Sequence, residues 1–179
     1  AFQSESSPYF DWYKFQEYPE KYTGWWGVTY LPEVQESNLS YQQFIYAAKN
    51  SVVRRWLRLG ASGWRLDVAD ELPDSFIAGL AAAAKAEKPD ALVLGEVWED
   101  ASNKQSYGEK RRYLFGEELD GVMNYPFRDA AQAFVLGKLD AEDMAARFIS
   151  QLENYPPDAL VNNLNLIGTH DTARVLTVL

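Results

Sequence analysis

The feature that most constrains this chain is a recurring unit: a short apolar run that ends in polar residues, followed by a helical pattern. The runs are Gly63–Val68, Ala91–Trp98, Gly121–Tyr125 and Val161–Thr169. Ala91–Trp98 (ALVLGEVW) is apolar on both faces, as a strand covered on both sides must be. Helices are predicted from about Pro73 to Glu87, near 127–136 and over 141–154. Pro73 suits a first helical position, Pro89 prevents continuation, and Asp140 is a plausible N-cap. Alternation of this kind predicts βα units on a parallel sheet, hence an α/β fold.

Upstream of the first run the pattern is helical. Ser40 with Gln43 has the form of a capping box, and Tyr41, Phe44, Ile45, Ala48, Val52, Trp56 and Leu59 follow at helical spacing up to Gly60. Residues 1–39 carry Pro8, Pro19, Pro32, Gly24 and Gly27 without a period, so an ordered loop region is expected there. A polar loop with a short helix is expected around 101–116. No internal repeat, low-complexity tract or flexible linker interrupts the chain.

Composition removes several function classes. The chain has no cysteine, which excludes disulfides, thiolate metal sites and a cysteine nucleophile while leaving the redox compartment open. Its one histidine, His170, excludes a His-based zinc site built from this chain alone. A net charge of −9 offers no basic surface to neutralise phosphates, so nucleic acid is not an expected partner. Arg54, Arg55 and Arg58 fall in the last turns of a predicted helix, where they complement its dipole. No apolar run approaches the ~18 residues of a membrane span, so no membrane partner is expected. A start at Ala1 rather than Met fits the removal of upstream sequence.

The polar ends of the runs are where chemistry is expected, because ligands of parallel α/β folds gather at the carboxyl ends of strands. Asp67 ends the first run, Glu96 lies near the end of the second, and Asp171 follows the last. Paired carboxylates are what glycoside hydrolysis needs: one attacks or stabilises the sugar cation and the other protonates the departing oxygen. Arg65, two residues before Asp67, shares its strand face and is placed to hold it ionised. Acidic residues after strands also cap helices and join surface ion pairs, the expected role of Asp70, Glu99 and Asp100. Spacing alone therefore supports a carboxylate-lined pocket. The same residue types build magnesium-dependent phosphoryl-transfer sites, although no glycine-rich phosphate loop is present.

Three motifs narrow this further. Gly63-Trp64-Arg65-Leu66-Asp67-Val68-Ala69, Gly95-Glu96-Val97-Trp98 and Asn165-Leu166-Ile167-Gly168-Thr169-His170-Asp171 resemble, in order, three signature regions of the α-amylase family, glycoside hydrolase family 13. Val68-Ala69-Asp70-Glu71 and Leu31-Pro32-Glu33-Val34 are similar to the versions found in its neopullulanase, cyclomaltodextrinase and maltogenic amylase group, with Gln35 where that group usually has Asn. The resemblance implies a (β/α)8 TIM-barrel fold, here a fragment covering about strands 4 to 7. Residues 1–39 would be the tail of the inserted loop domain and 40–179 the partial catalytic barrel.

By the same resemblance, Asp67 corresponds to the nucleophile, Glu96 to the general acid/base and Asp171 to the transition-state-stabilising carboxylate. Arg65 and His170 correspond to residues that hold the nucleophile and contact the sugar, while Trp98 either lines the acceptor side or packs. The implied reaction is retaining hydrolysis of α-1,4 or α-1,6 glucosidic bonds in malto-oligosaccharides, cyclodextrins or pullulan. No cofactor is implied, and calcium, where family members bind it, is held by segments absent from this stretch. The third-strand signature bearing an Asp and a His is missing, and a complete barrel takes ~250 residues. Open sheet edges and inner-face residues such as Leu66, Val93 and Leu166 are therefore expected to be exposed, favouring a homo-oligomer and weak activity.

Overall fold

The computed structural model of the chain describes residues 1–179. The N-terminal stretch has little regular structure: strands β1 (Phe15–Glu17) and β2 (Lys21–Tyr22) form a small antiparallel pair. Aromatic packing holds it instead, with Phe2 against Tyr13, Phe15 and Tyr22 at ring-centroid distances of 5.5, 5.1 and 4.7 Å. Isolated bridges Tyr13–Val34 and Gly24–Pro32 fold the segment back on itself.

The helix expected over 40–59 is broken. Asn38, not Ser40, caps α1 (Leu39–Gln42), accepting from the Ser40 and Tyr41 amides, and a π-helical turn follows over Gln43–Ala47. Ser51 then caps a new helix, α2 (Val52–Arg58), while its hydroxyl donates to the Tyr46 carbonyl at 3.0 Å. That hydroxyl serves both ends of the break, which a hydrophobic period alone does not reveal. Arg54 and Arg58 converge on Glu87 at 3.6 and 2.7 Å and hold its carboxyl below the usual carboxylate range.

From residue 63 the alternation takes shape. Strand β3 (Gly63–Leu66) leads to α3 (Asp74–Glu87), and β4 (Leu92–Gly95) runs parallel to β3 with Trp64 opposite Val93 and Leu66 opposite Gly95. The strands are tight: a Cβ on Gly63 would lie 2.0 Å from the Leu92 carbonyl oxygen. In place of the helix expected around 101–116 is a hairpin of β5 (Gln105–Ser106) and β6 (Glu109–Lys110). Its turn residues Tyr107 and Gly108 have φ of 54° and 83°, as a two-residue hairpin turn prefers.

Strand β7 (Gly121–Val122) continues the parallel sheet beside β4. Helices α4 (Tyr125–Val135) and α5 (Ala141–Asn154) follow, the latter capped by Asp140 as expected. The fourth expected strand is reduced to one parallel bridge, Met123–Leu164. Two prolines start α6 (Pro157–Asn162), which absorbs Val161, and the Asn163 side chain takes the Val122 amide that a longer ladder would use. The chain ends in α7 (Val175–Val178).

Leu66 and Val93 were expected to lie open but are 7% and 0% exposed, because they join Val53, Ile77, Leu80 and Val122 in the main core. Leu166 is also buried, with Met123 and Tyr125. Other apolar side chains are exposed instead, among them Leu39, Leu59, Ile149, Leu152, Val161 and Leu176.

Candidate active site

The in-register ends of β3 and β4 place Asp67 and Glu96 side by side, each one residue past its strand. The Glu96 amide donates to the Leu66 carbonyl at 2.9 Å, and the Ala69 amide donates to the Glu96 carbonyl at 3.1 Å. Past Asp67 the backbone turns through Val68 in the left-handed region (φ 39°, ψ 63°), an unusual conformation for a β-branched residue. This turn aims the Val68 amide at Glu96 Oε2, 2.8 Å away.

Arg65 joins the two carboxylates. One terminal nitrogen of its guanidinium bonds Asp67 Oδ1, and the other lies 3.0 Å from Glu96 Oε1. The partners differ sharply in environment: the Asp67 side chain is 74% exposed and that of Glu96 is 3% exposed. Glu96 also accepts from Trp98 Nε1 at 3.2 Å, and the Tyr125 hydroxyl approaches it at 3.5 Å. Trp98 stacks on Tyr125 with ring centroids 4.0 Å apart. Its open side lines a cleft of about 690 Å³ with Pro126, Asp143 and Phe148, so it both packs and faces solvent.

The third signature is attached by a longer route. Tyr125 OH lies 3.4 Å from Thr169 Oγ1, which accepts the Asp171 amide at 3.2 Å. His170 Nε2 lies 3.1 Å from Asp171 Oδ2, and both side chains are well exposed. Burial, opposed by the Thr169 hydroxyl and reinforced by the charges of Glu96 and Asp171, pushes the Tyr125 phenol up. One buried phenol thus senses the carboxylates of both strand ends.

A groove of about 750 Å³ runs from Asp67 and Val68 to the N-terminal segment, where Trp25, Leu31, Glu33 and Gln35 line it with Glu71 and Tyr107. Glu96 stands behind Asp67 and does not line it.

Residues 3–179 match the family described as "Alpha amylase, catalytic domain". The chain belongs to the α-amylase family. Among curated relatives, the amylopullulanase of Thermoanaerobacter thermohydrosulfuricus is 36% identical across 96% of the chain and 12% of its own length. The cyclomaltodextrinase of Geobacillus thermopakistaniensis is 34% identical across 97% of the chain and 29% of its own length. A solved structure, the cyclic α-maltosyl-(1→6)-maltose hydrolase of Arthrobacter globiformis in complex with maltose, superposes with a TM-score of 0.86 at 29% identity. That match covers 98% of this chain and 39% of the hydrolase. The α-amylase-family chain is thus part of a (β/α)8 catalytic barrel, spanning less than a third of these two curated relatives.

The sequence-derived set is therefore partly gathered. Arg65, Asp67, Glu96 and Trp98 form one bonded cluster, and His170 with Asp171 reaches it through Thr169 and Tyr125. Sequence reasoning missed Tyr125. The strand-end rule that picks out Asp67 and Glu96 also points at Asn124-Tyr125 after β7, where no acidic residue stands.

Proposed function

We propose that the chain carries the retaining glycoside-hydrolase centre of an enzyme acting on α-1,4 or α-1,6 glucosidic bonds of malto-oligosaccharides, cyclodextrins or pullulan. The observation that carries this reading is the shared guanidinium of Arg65, which brings an exposed Asp67 and a buried Glu96 together. Retention needs two carboxyl groups about 5–5.5 Å apart, close enough for one to attack the sugar the other protonates. Asp67, open to the groove, attacks the anomeric carbon as the bond to the leaving oxygen breaks, and Glu96 gives that oxygen a proton. A glycosyl ester on Asp67 results. Water then attacks it, giving its proton to Glu96, and Asp67 leaves as the free carboxylate.

The resting contacts of Glu96 support its part in the second step. The Val68 amide and Trp98 donate to it and the Arg65 guanidinium lies 3.0 Å away, as suits a carboxylate acting as base. Asp171 and His170 would engage sugar hydroxyls, and residues 1–39 would belong to the barrel's inserted loop domain. None of these steps uses a metal held by this chain's own residues. A fluorosugar that traps the ester should label Asp67, and labelling of another residue would overturn the assignment.

A second reading has its own support: the sheet holds three strands and one bridge, and Asp171 sits on an exposed loop. Under it the chain binds carbohydrate without turning it over, and its exposed apolar residues favour association between copies. Reducing-sugar release from cyclodextrin separates the two readings.

A further inference from the structure

At the rim of the groove that holds Asp67, two aromatic side chains from distant segments close on one carboxylate. Trp26 Nε1 donates to Glu71 Oε1 at 3.3 Å, and the Tyr107 hydroxyl donates to Glu71 Oε2 at 2.5 Å. Both residues have left-handed backbones, with φ of 49° and 54°, and each is 74% exposed. Packing does not account for this, because large rings gain stability by burial and these are held in solvent on strained backbone. Such strain gathers at ligand clamps. Trp25 stacks beneath Trp26 with centroids 4.7 Å apart and planes 13° from parallel, so the indole is backed on one side and open on the other.

The surroundings select a ligand class. Trp25, Glu71 and Tyr107 line the same groove as Asp67, together with Glu33, Glu36 and one cation, Lys14. A lining this acidic disfavours anions and suits a neutral ligand rich in hydroxyl donors. A flat, backed indole suits the apolar face of a pyranose ring.

We propose that Trp26, backed by Trp25 and fastened through Glu71 to Tyr107, is a stacking platform for a glucosyl unit remote from the bond cleaved beside Asp67. The inference rests on the α-glucan reading above. It makes the site selective for longer chains.

Calorimetric titration of the whole chain with maltose through maltoheptaose tests it. The native chain should bind with affinity that rises with length. Trp26→Ala should lower the ratio of maltoheptaose to maltose affinity about tenfold. Trp26→Phe should restore most of that ratio, and Tyr107→Ala, acting from the opposite segment, should lower it less. Circular dichroism checks that each variant folds, and Tyr107→Ala carries the test if Trp26→Ala does not. An unchanged ratio in the folded alanine variants, or affinity independent of length in the native chain, overturns the platform and leaves the α-glucan reading standing. Absence of binding to every malto-oligosaccharide overturns both.

Discussion

The ends of β3 and β4 and the stretch 165–171 carry the same kind of motif, yet the fold treats them differently. Glu96 is fixed by neighbours distant in sequence: Arg65, the Val68 amide and, behind Trp98, the ring of Tyr125. Asp171 is held mainly by bonds spanning one or two residues, to Thr169 and His170. The first pair sits on paired strands in register, whereas the second follows a single bridge at Leu164. A motif supplies the residue types, and a paired ladder supplies their placement.

The largest expected effect lies at the well-held end. Glu96→Gln should slow hydrolysis of substrates with poor leaving groups by about 100- to 10,000-fold while sparing the first step with a glycosyl fluoride. Equal losses on both substrate types, measured by steady-state kinetics, would remove Glu96 as the acid. Next comes Arg65→Met, which leaves the Glu96 carboxylate buried without its cation and should cost about 3 kcal/mol in urea unfolding.

A smaller effect concerns Glu118, buried near Asp74, Arg111 and Arg112. Burial first, then the charge of Asp74, pushes its carboxyl up to about 7, against the opposing pull of the two arginines. The folded chain then holds a proton the unfolded chain has released, so stability should fall as pH rises from about 4.5 to about 7, by roughly 1–3 kcal/mol. Glu118→Gln should flatten that slope in pH-dependent melting, and an unaltered slope would place its origin elsewhere. Smallest of all, His170→Ala should change stability by less than about 0.5 kcal/mol, as an exposed pair allows. A loss rivalling that of Arg65→Met would erase the contrast between the two ends.

The legible parts of the sequence were those in which one local rule governs. The apolar runs at 63–68 and 91–98 mark paired strands and Asp140 caps α5, while Pro73 stands one residue before α3, as its N-cap rather than its first helical residue. The illegible parts depend on competing side-chain bonds. Ser51 divides a helix whose period looks unbroken, Asn163 stands in for a strand, and Tyr107 with Gly108 turns a hairpin inside a charged stretch. In the site, Arg65, Asp67 and Glu96 could be read from position along their strands. The reach of Arg65 to Glu96 could not, because it depends on the register between β3 and β4.

The left-handed turn at Val68 has a consequence for how such chains can change length. The amide that grips Glu96 belongs to the residue directly after Asp67, and Glu96 in turn grips the backbone at Leu66 and Ala69. Adding or removing one residue between Gly63 and Val68, or between Leu92 and Glu96, would displace both carboxylates together. The connection over 98–120 is tied to the turn after Asp67 by side chains instead: Arg111 donates to the carbonyls of Asp70 and Leu72, and the Tyr113 hydroxyl donates to Asp70 Oδ1. The two short strands therefore accept substitution but not a change in length.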